Sequence, residues 1–177
     1  MWTFLWRLPL ALILCCAASH GLAQANANDE TALARQVFEE VNRQLPGMGR
    51  VALVAKRPDV EYKSSLRAWS DKSGLRKIEA TDRDDDGNVI TEYYFADGAL
   101  VFAYVATQGF DKGNRPVTRN EDRQYFRSGK MFRWLAGKEK TPRPPASPDF
   151  IEEGRSRAAA ARFFAEAVAR AGKAGAR

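Results

Sequence analysis

The sequence predicts an α+β fold: an antiparallel β-meander of about six strands between an N-terminal and a C-terminal helix. Three observations carry this. Residues 28–45 place apolar side chains every fourth position, the spacing of an amphipathic helix. Residues 50–135 change to short apolar or alternating runs cut by glycine-containing turns, the pattern of hairpin-linked strands. From Ser147 onward, helical spacing returns.

The first segment reads as a secretory leader, residues 1–25. Arg7 is the only charge before the apolar run 8–18, and small-x-small patterns follow at Gly21-Leu22-Ala23 and Ala23-Gln24-Ala25. Cleavage is expected after Ala23 or Ala25, which places the mature protein in the periplasm or outside the cell. An uncleaved anchor is the alternative, but the run is shorter than the roughly 20 residues that span a bilayer. A lipoprotein needs a small residue before the modified cysteine, and Leu14 precedes Cys15. The mature form is therefore expected to carry no transmembrane segment.

Removal of the leader has a chemical consequence. Cys15, Cys16 and His20 are the chain's whole complement of cysteine and histidine. A mature chain without them has no thiol nucleophile, no disulfide, no zinc or haem ligation by these residues, and no imidazole acid–base chemistry. Of 177 residues, 152 remain, enough for one core. The whole chain has a net charge of +6, and a leader carrying Arg7 leaves +5. Outside the cytoplasm that excess points to an anionic envelope component or an acidic protein rather than to nucleic acid. A simply solvated basic surface is the plain alternative.

The mature chain divides into residues 26–146, a helix plus the meander, and residues 147–177, a C-terminal helix and basic tail. The first helix is expected over 28–45. Asn28 or Asp29 can cap it, Leu33, Val37, Val41 and Leu45 form the buried stripe, and Pro46-Gly47 ends it. Strands are expected at 51–55, 75–81, 89–95, 99–107, 122–126 and 130–135, with a weaker one at 61–69. Asp97-Gly98 and Ser128-Gly129 suit two-residue hairpins that need positive φ, and Lys72-Ser73-Gly74 suits a longer one. Residues 108–120 read as a polar, basic loop. The four prolines of 138–148 argue against a regular ladder there. Ser147 then caps the last helix with Pro148 at its first position. Phe164, Val168 and Ala171 share a face of it, and Gly154 is expected to weaken its first turns.

The hairpins resemble one another. Tyr94-Phe95-Ala96-Asp97-Gly98-Ala99-Leu100 aligns with Tyr125-Phe126-Arg127-Ser128-Gly129-Lys130-Met131, and Trp69 to Leu75 is a looser copy. This unit resembles the aromatic-glycine hairpins of bacterial MORN-repeat-like proteins and of exported bacterial proteins with a helix before a meander. The resemblance implies a binding or interaction role and supplies no catalytic residue.

Three constellations carry the functional expectations. Asp82, Asp84, Asp86 and Asn88, with Gly87 at the sixth position, resemble the start of a calcium-binding loop. Against this, Tyr93 stands where a bidentate glutamate belongs, and an acidic turn is the plainer reading. Calcium is thus the one cofactor in view. The aromatics are the second group. On the strand 99–107, alternation puts Leu100, Phe102 and Tyr104 on one face and Val101, Ala103 and Val105 on the other, so both faces need a cover. Helices, a second copy of the chain as a homodimer, or a ligand would each serve. Phe102, Tyr104, Tyr125 and Trp134 are the expected ligand or interface residues. Third, Glu79, Glu92, Glu121 and Asp122 are the carboxylates on which a hydrolase would draw, though no spacing pairs them. The sequence therefore predicts a non-catalytic exported binding or accessory protein. A carboxylate-dependent hydrolase and a calcium-dependent interaction module are the alternatives.

Overall fold

The structure, a computed structural model, describes residues 17–84, 87–110 and 115–175. Its first element, α1, spans Ala17–Gln44 and starts well before position 28. Asn28 and Asp29, expected as caps, lie inside it. Alanine is the strongest helix former and recurs at positions 23, 25 and 27 with no proline between, so nothing stops the helix at a capping residue. The buried stripe is Ala34, Val37 and Val41, whereas Leu33 is 42% exposed. Val37 and Val41 of the expected stripe are buried, and Ala34 takes the place of Leu33 at its N-terminal end. A 3-10 turn, Leu45–Gly47, ends the helix at Pro46.

Eight strands follow among the described residues: β1 (Gly49–Ala55), β2 (Ser64–Asp71), β3 (Gly74–Asp84), β4 (Gly87–Ala96), β5 (Ala99–Phe110), β6 (Pro116–Arg127), β7 (Lys130–Ala136) and β8 (Thr141–Pro142). They lie side by side in sequence order, each antiparallel to its neighbour. The meander is thus correct and the strand count too low. The two additional strands are β2, expected only weakly at 61–69, and β8, and the strands are also longer than expected. Most of the expected loop 108–120 is strand, because β5 runs to Phe110 and β6 starts at Pro116; residues 111–114 lie outside the described part. Polar residues hide that extension, since a ladder needs only backbone bonds where no face is buried. The proline-rich linker also contributes a two-residue edge strand. Thr141 and Pro142 pair with β7, and the Arg143 amide donates to the Trp134 carbonyl at 2.9 Å, a placement proline tolerates at an edge.

The hairpins share construction as well as sequence. Asp97 and Gly98 have φ of 49° and 75°, and Ser128 and Gly129 have 49° and 76°, the double positive φ of tight primed turns. Each hairpin carries a bulge just after its turn: the extra residue is Arg76 opposite Trp69–Ser70, Val101 opposite Tyr94–Phe95 and Phe132 opposite Tyr125–Phe126. Each bulge breaks the alternation, so Leu100, expected beside Phe102, packs on the α2 side while Val101 and Phe102 both pack on the α1 side.

The last helix, α2, spans Pro148–Gly175. Its start is as expected: Ser147 Oγ accepts from the Phe150 amide at 3.3 Å, and Pro148 opens the first turn. Gly154 does not break it. A Cβ there would lie 2.9 Å from Met131 Cβ, so the glycine lets α2 approach β7 closely. From β7 the helix crosses toward β3 and β1. Phe164 and Val168 are buried with Ala160, Ala161 and Ala167 against Leu66, Ile78, Tyr93, Phe95 and Phe126. On the other face α1 crosses β4, β5 and β6, and Val37 and Val41 pack on Tyr94, Phe102, Tyr125 and Leu135. The result is three layers, helix on sheet on helix, with a core on each side. No helix among the described residues is long and apolar enough to cross a membrane.

Candidate functional site

Strand register sets what each face presents. On the α1 side one transverse row takes a residue from each of seven strands: Arg50, Trp69, Lys77, Tyr94, Phe102, Tyr125 and Arg133. Cations and rings are neighbours along it. Lys77 Nζ lies 5.7 Å from the Trp69 ring centroid and 5.0 Å from that of Tyr94, and the Arg50 and Arg133 guanidinium carbons lie 5.8 and 5.9 Å from Trp69 and Tyr125. The centre is fully aromatic, with Phe102 5.7 Å from Tyr94 and 5.1 Å from Tyr125.

Lys77 is buried and its charge is fully engaged. Its Nζ meets Glu92 Oε1 at 2.6 Å and Asn42 Oδ1 at 3.2 Å. The Tyr94 hydroxyl donates to Glu92 Oε2 at 2.6 Å and accepts from Asn42 Nδ2 at 3.0 Å. Burial, and then the Glu92 carboxylate, hold the Tyr94 proton far above the ordinary phenol range. This closed network clamps the C-terminal end of α1 to β3 and β4. Sequence reading missed it, because each member sits alone in its own segment. The one signal was a lysine and a glutamate at inward positions of adjacent strands.

One row further along, a cleft of about 660 Å³ opens between α1 and the sheet. Phe102, Tyr104, Tyr125 and Leu135 form its floor, and Arg35, Phe38 and Glu39 of α1 form its wall. Arg123 spans the floor: its Nη2 donates to Glu121 Oε2 at 3.2 Å, its guanidinium carbon lies 5.7 Å from the Tyr104 ring, and its buried Nη1 has no protein acceptor among the described residues. Burial, then the nearby Glu121 carboxylate, raise the Tyr104 hydroxyl above its usual range.

Three of the four expected ligand residues, Phe102, Tyr104 and Tyr125, therefore meet in this cleft. Trp134 does not. It pairs with Gln124 and faces α2, where its ring lies 6.4 Å from Phe150 and its Nε1 donates to Asp122 Oδ2 at 3.0 Å. Period-two alternation decides this: Arg133 and Leu135 face α1, so Trp134 faces the other way.

Glu92 and Glu121, two of the four expected carboxylates, line the aromatic cleft, Glu79 and Asp122 do not, and all four are engaged. Glu79 binds Arg67, Glu92 binds Lys77 and Tyr94, and Glu121 binds Arg123. Asp122 lies on the opposite face from Glu121 and holds the β7–β8 turn, accepting from the Gly137 amide at 2.9 Å. The acidic loop is also divided. Asp82 pairs with Val89 and Asn88 with Arg83, so Asp82 faces α2 and Asn88 faces α1. Those two do not converge on one ion. Asp86 and the side chain of Asp84 lie outside the described part. Gly87 has its own structural reason: φ is +152°, and a Cβ there would sit 2.0 Å from the Gln108 carbonyl oxygen. Among the described residues no three acidic, cysteine or histidine side chains gather as metal ligands.

The α2 face holds a second, smaller pocket of about 360 Å³ at the far end of the sheet. The β1–β2 connection contributes Arg57, Asp59 and Tyr62, the strands Ser64, Asp82 and Tyr93, and α2 contributes Ser156, Arg157 and Phe164. Arg157 is tied in place. Its Nη2 donates to Glu153 Oε1 at 2.5 Å and its Nη1 to Thr91 Oγ1 at 3.2 Å, while Gln124 Nε2 reaches the same Glu153 oxygen at 2.8 Å. Burial opposes the charge on Arg157, but Tyr93 and Glu153 outweigh it and raise its hold on the proton. Burial likewise opposes the Glu153 charge, and Arg157 outweighs it, so that carboxyl titrates below its ordinary value. Asp82 Oδ1 is buried without a protein donor among the described residues, which costs about 1–3 kcal/mol.

No protein-family model, no curated protein and no solved structure matches the chain.

Proposed function

We propose that this chain is an exported, non-catalytic binding protein of the periplasm or envelope, and that its ligand site is the aromatic cleft under α1. One observation carries the reading. Phe102, Tyr104 and Tyr125 converge beside Arg123 on a cleft of about 660 Å³, within the roughly 300–1,000 Å³ of small-molecule sites. The floor is apolar, and the charged side chains of Arg35, Glu39, Glu92, Glu121, Arg123 and Lys140 stand around it. Export rests on the leader at residues 1–25, and with it the expectation of an anionic envelope component or a protein as the natural partner.

The test is a titration of the purified mature chain with the apolar fluorophore N-phenyl-1-naphthylamine. Saturable one-to-one binding is expected, weakened at least about tenfold in Tyr104→Ala, a loss of about 1.4 kcal/mol. The melting temperature should hardly move, because Tyr104 is half-exposed. Affinity capture from an envelope extract then identifies the natural ligand. Non-saturable uptake of the fluorophore, or equal binding by the variant, would remove the cleft from the account.

A further inference from the structure

We propose that the pocket on the α2 face is a second, separate binding site, and that it takes a neutral polyhydroxylated ligand the size of one sugar ring. It lies across the sheet from the aromatic cleft and shares no lining residue with it. Its volume, about 360 Å³, sits at the small end of ligand sites.

The charge state of the lining selects the ligand class. Arg57 is paired with Asp59 through both its Nε and its Nη2, and Arg157 is paired with Glu153. Neither guanidinium is left to neutralise an anion, and Arg83, the third arginine of the lining, is exposed at a strand position that alternates away from Asp82 toward the α1 face. Asp82 is the carboxylate that remains, and it stands among these arginines, so a cation gains little there. What the pocket offers in excess is hydrogen bonding. Asp82 has acceptor capacity that the described protein does not use, and Ser64, Ser156, Tyr62 and Tyr93 supply hydroxyls that can donate or accept.

A sugar hydroxyl is both donor and acceptor, so adjacent hydroxyls on one ring can give a proton to Asp82 and accept one from a neighbouring hydroxyl or guanidinium N–H. A monatomic ion cannot do both, and a polyatomic one brings a net or local charge for which the paired arginines leave no counter-charge. The pocket also has the apolar surface that a sugar ring's C–H face requires. Tyr62 is 47% exposed at its mouth, and Phe164 lies within. Ser64 and Tyr93 are buried, so the polar groups are held by packing and do not reorganise when the ligand arrives.

The experiment is an amide NMR titration of the folded mature chain with four methyl glycosides at millimolar concentration: those of glucose, galactose, mannose and N-acetylglucosamine. Glycine and inorganic phosphate serve as the zwitterionic and anionic arms. At least one glycoside should give saturable shifts at Ser64, Asp82 and Ser156, with none at Tyr104. Asp82→Ala and Tyr62→Ala should each weaken that binding about tenfold, while N-phenyl-1-naphthylamine binding in the other cleft stays unchanged. Tyr62→Ala guards against a folding effect, since that side chain is on the surface. Saturation by phosphate or glycine in place of every glycoside, no saturation by any glycoside, or full binding by both variants would overturn the proposal. Because the two pockets have different residues and probes, failure here leaves the aromatic cleft standing, and the reverse also holds.

Discussion

The two faces of this sheet are covered by helices of equal length but in different ways. Under α2 the helix surface is small: Gly154, Ala160, Ala161 and Ala167 let the backbone settle close, and Phe164 is the one large side chain buried in the middle. Under α1 the contact side chains of the sheet are large and partly ionic. Tyr94, Phe102 and Tyr125 meet Val37 and Val41, and Lys77, Glu92 and Asn42 form the anchor. Small residues produce close, uniform packing, which stores stability. The α2 face has rings and an ionic network too, in Tyr93, Phe95, Phe126 and the Arg157–Glu153 pair, but the larger cleft lies on the α1 side.

The largest expected effect separates the faces directly. Phe164→Ala removes a ring that is 2% exposed and leaves a hole that the surrounding alanines cannot fill. It should cost about 3–5 kcal/mol in urea unfolding. Phe38→Ala on α1 removes a ring that is 36% exposed and stands 5.2 Å from Tyr94, so about 1 kcal/mol is expected. Equal losses would mean that both helices are packed alike.

A smaller effect concerns how the β3–β4 hairpin closes. Gly87→Ala combines a backbone conformation that L-residues rarely adopt with a methyl group 2.0 Å from a backbone oxygen. A loss of about 2–3 kcal/mol is expected. Gly98→Ala has a comparable turn, φ 75°, with nothing within 4 Å, so only about 1 kcal/mol of left-handed strain should appear. Similar values at the two glycines would show that the chain relaxes around Gln108.

These two comparisons also mark what was legible in the sequence. Turn chemistry was: Asp97-Gly98 and Ser128-Gly129 specify their hairpins locally, and so does the Ser147-Pro148 helix start. Alternation placed Phe102 and Tyr104 together and implied that both faces need covers, but it put Leu100 with them, and the bulge at Val101 sends Leu100 to the α2 side. It failed where no face is buried, as in the polar ends of β5 and β6, and where a property belongs to a pair of distant segments. Nothing in Arg157's own neighbourhood announces Thr91, and Lys77 needs Asn42, Glu92 and Tyr94 from two other elements. Gly87 was visible as a requirement, but its cause, the Gln108 backbone, was not. Trp134 lies on the other face from Phe102, Tyr104 and Tyr125, a separation set by the parity of its strand.

A third effect is pH-dependent and belongs to the α2 face. Glu153 titrates below its ordinary value of 4.5 in the folded chain. Its folded pKa is thus lower than its unfolded one, so its pairing stabilises the protein fully above about pH 4.5 and loses that contribution as pH falls through the folded value. At neutral pH Glu153→Gln should cost about 1–2 kcal/mol, a figure held down by the carboxylate's 29% exposure. The gap between wild type and variant should narrow steadily below pH 4.5 in urea titrations. A constant gap down to pH 3 would mean that Arg157 does not hold this carboxylate.

The smallest expected effect is zero, and it concerns the acidic hairpin. A calcium ion bound only to the folded state adds RT ln(1 + [L]/Kd), about 2.7 kcal/mol at a hundredfold excess over Kd. That would raise the melting temperature by several degrees. The register of β3 and β4 sends Asp82 and Asn88 to opposite faces of the sheet, and an ion cannot collect ligands through a continuous backbone ladder. Gly87, which would be the sharp-turn residue of a calcium loop, is already required by its approach to Gln108. Melting in millimolar calcium should therefore match melting in chelator, and magnesium should give the same curve. A calcium-specific rise that disappears in Asp82→Ala/Asp84→Ala would show that the hairpin opens to bind an ion. The α2-face pocket, which uses Asp82, would then have to be reassigned as part of a metal site.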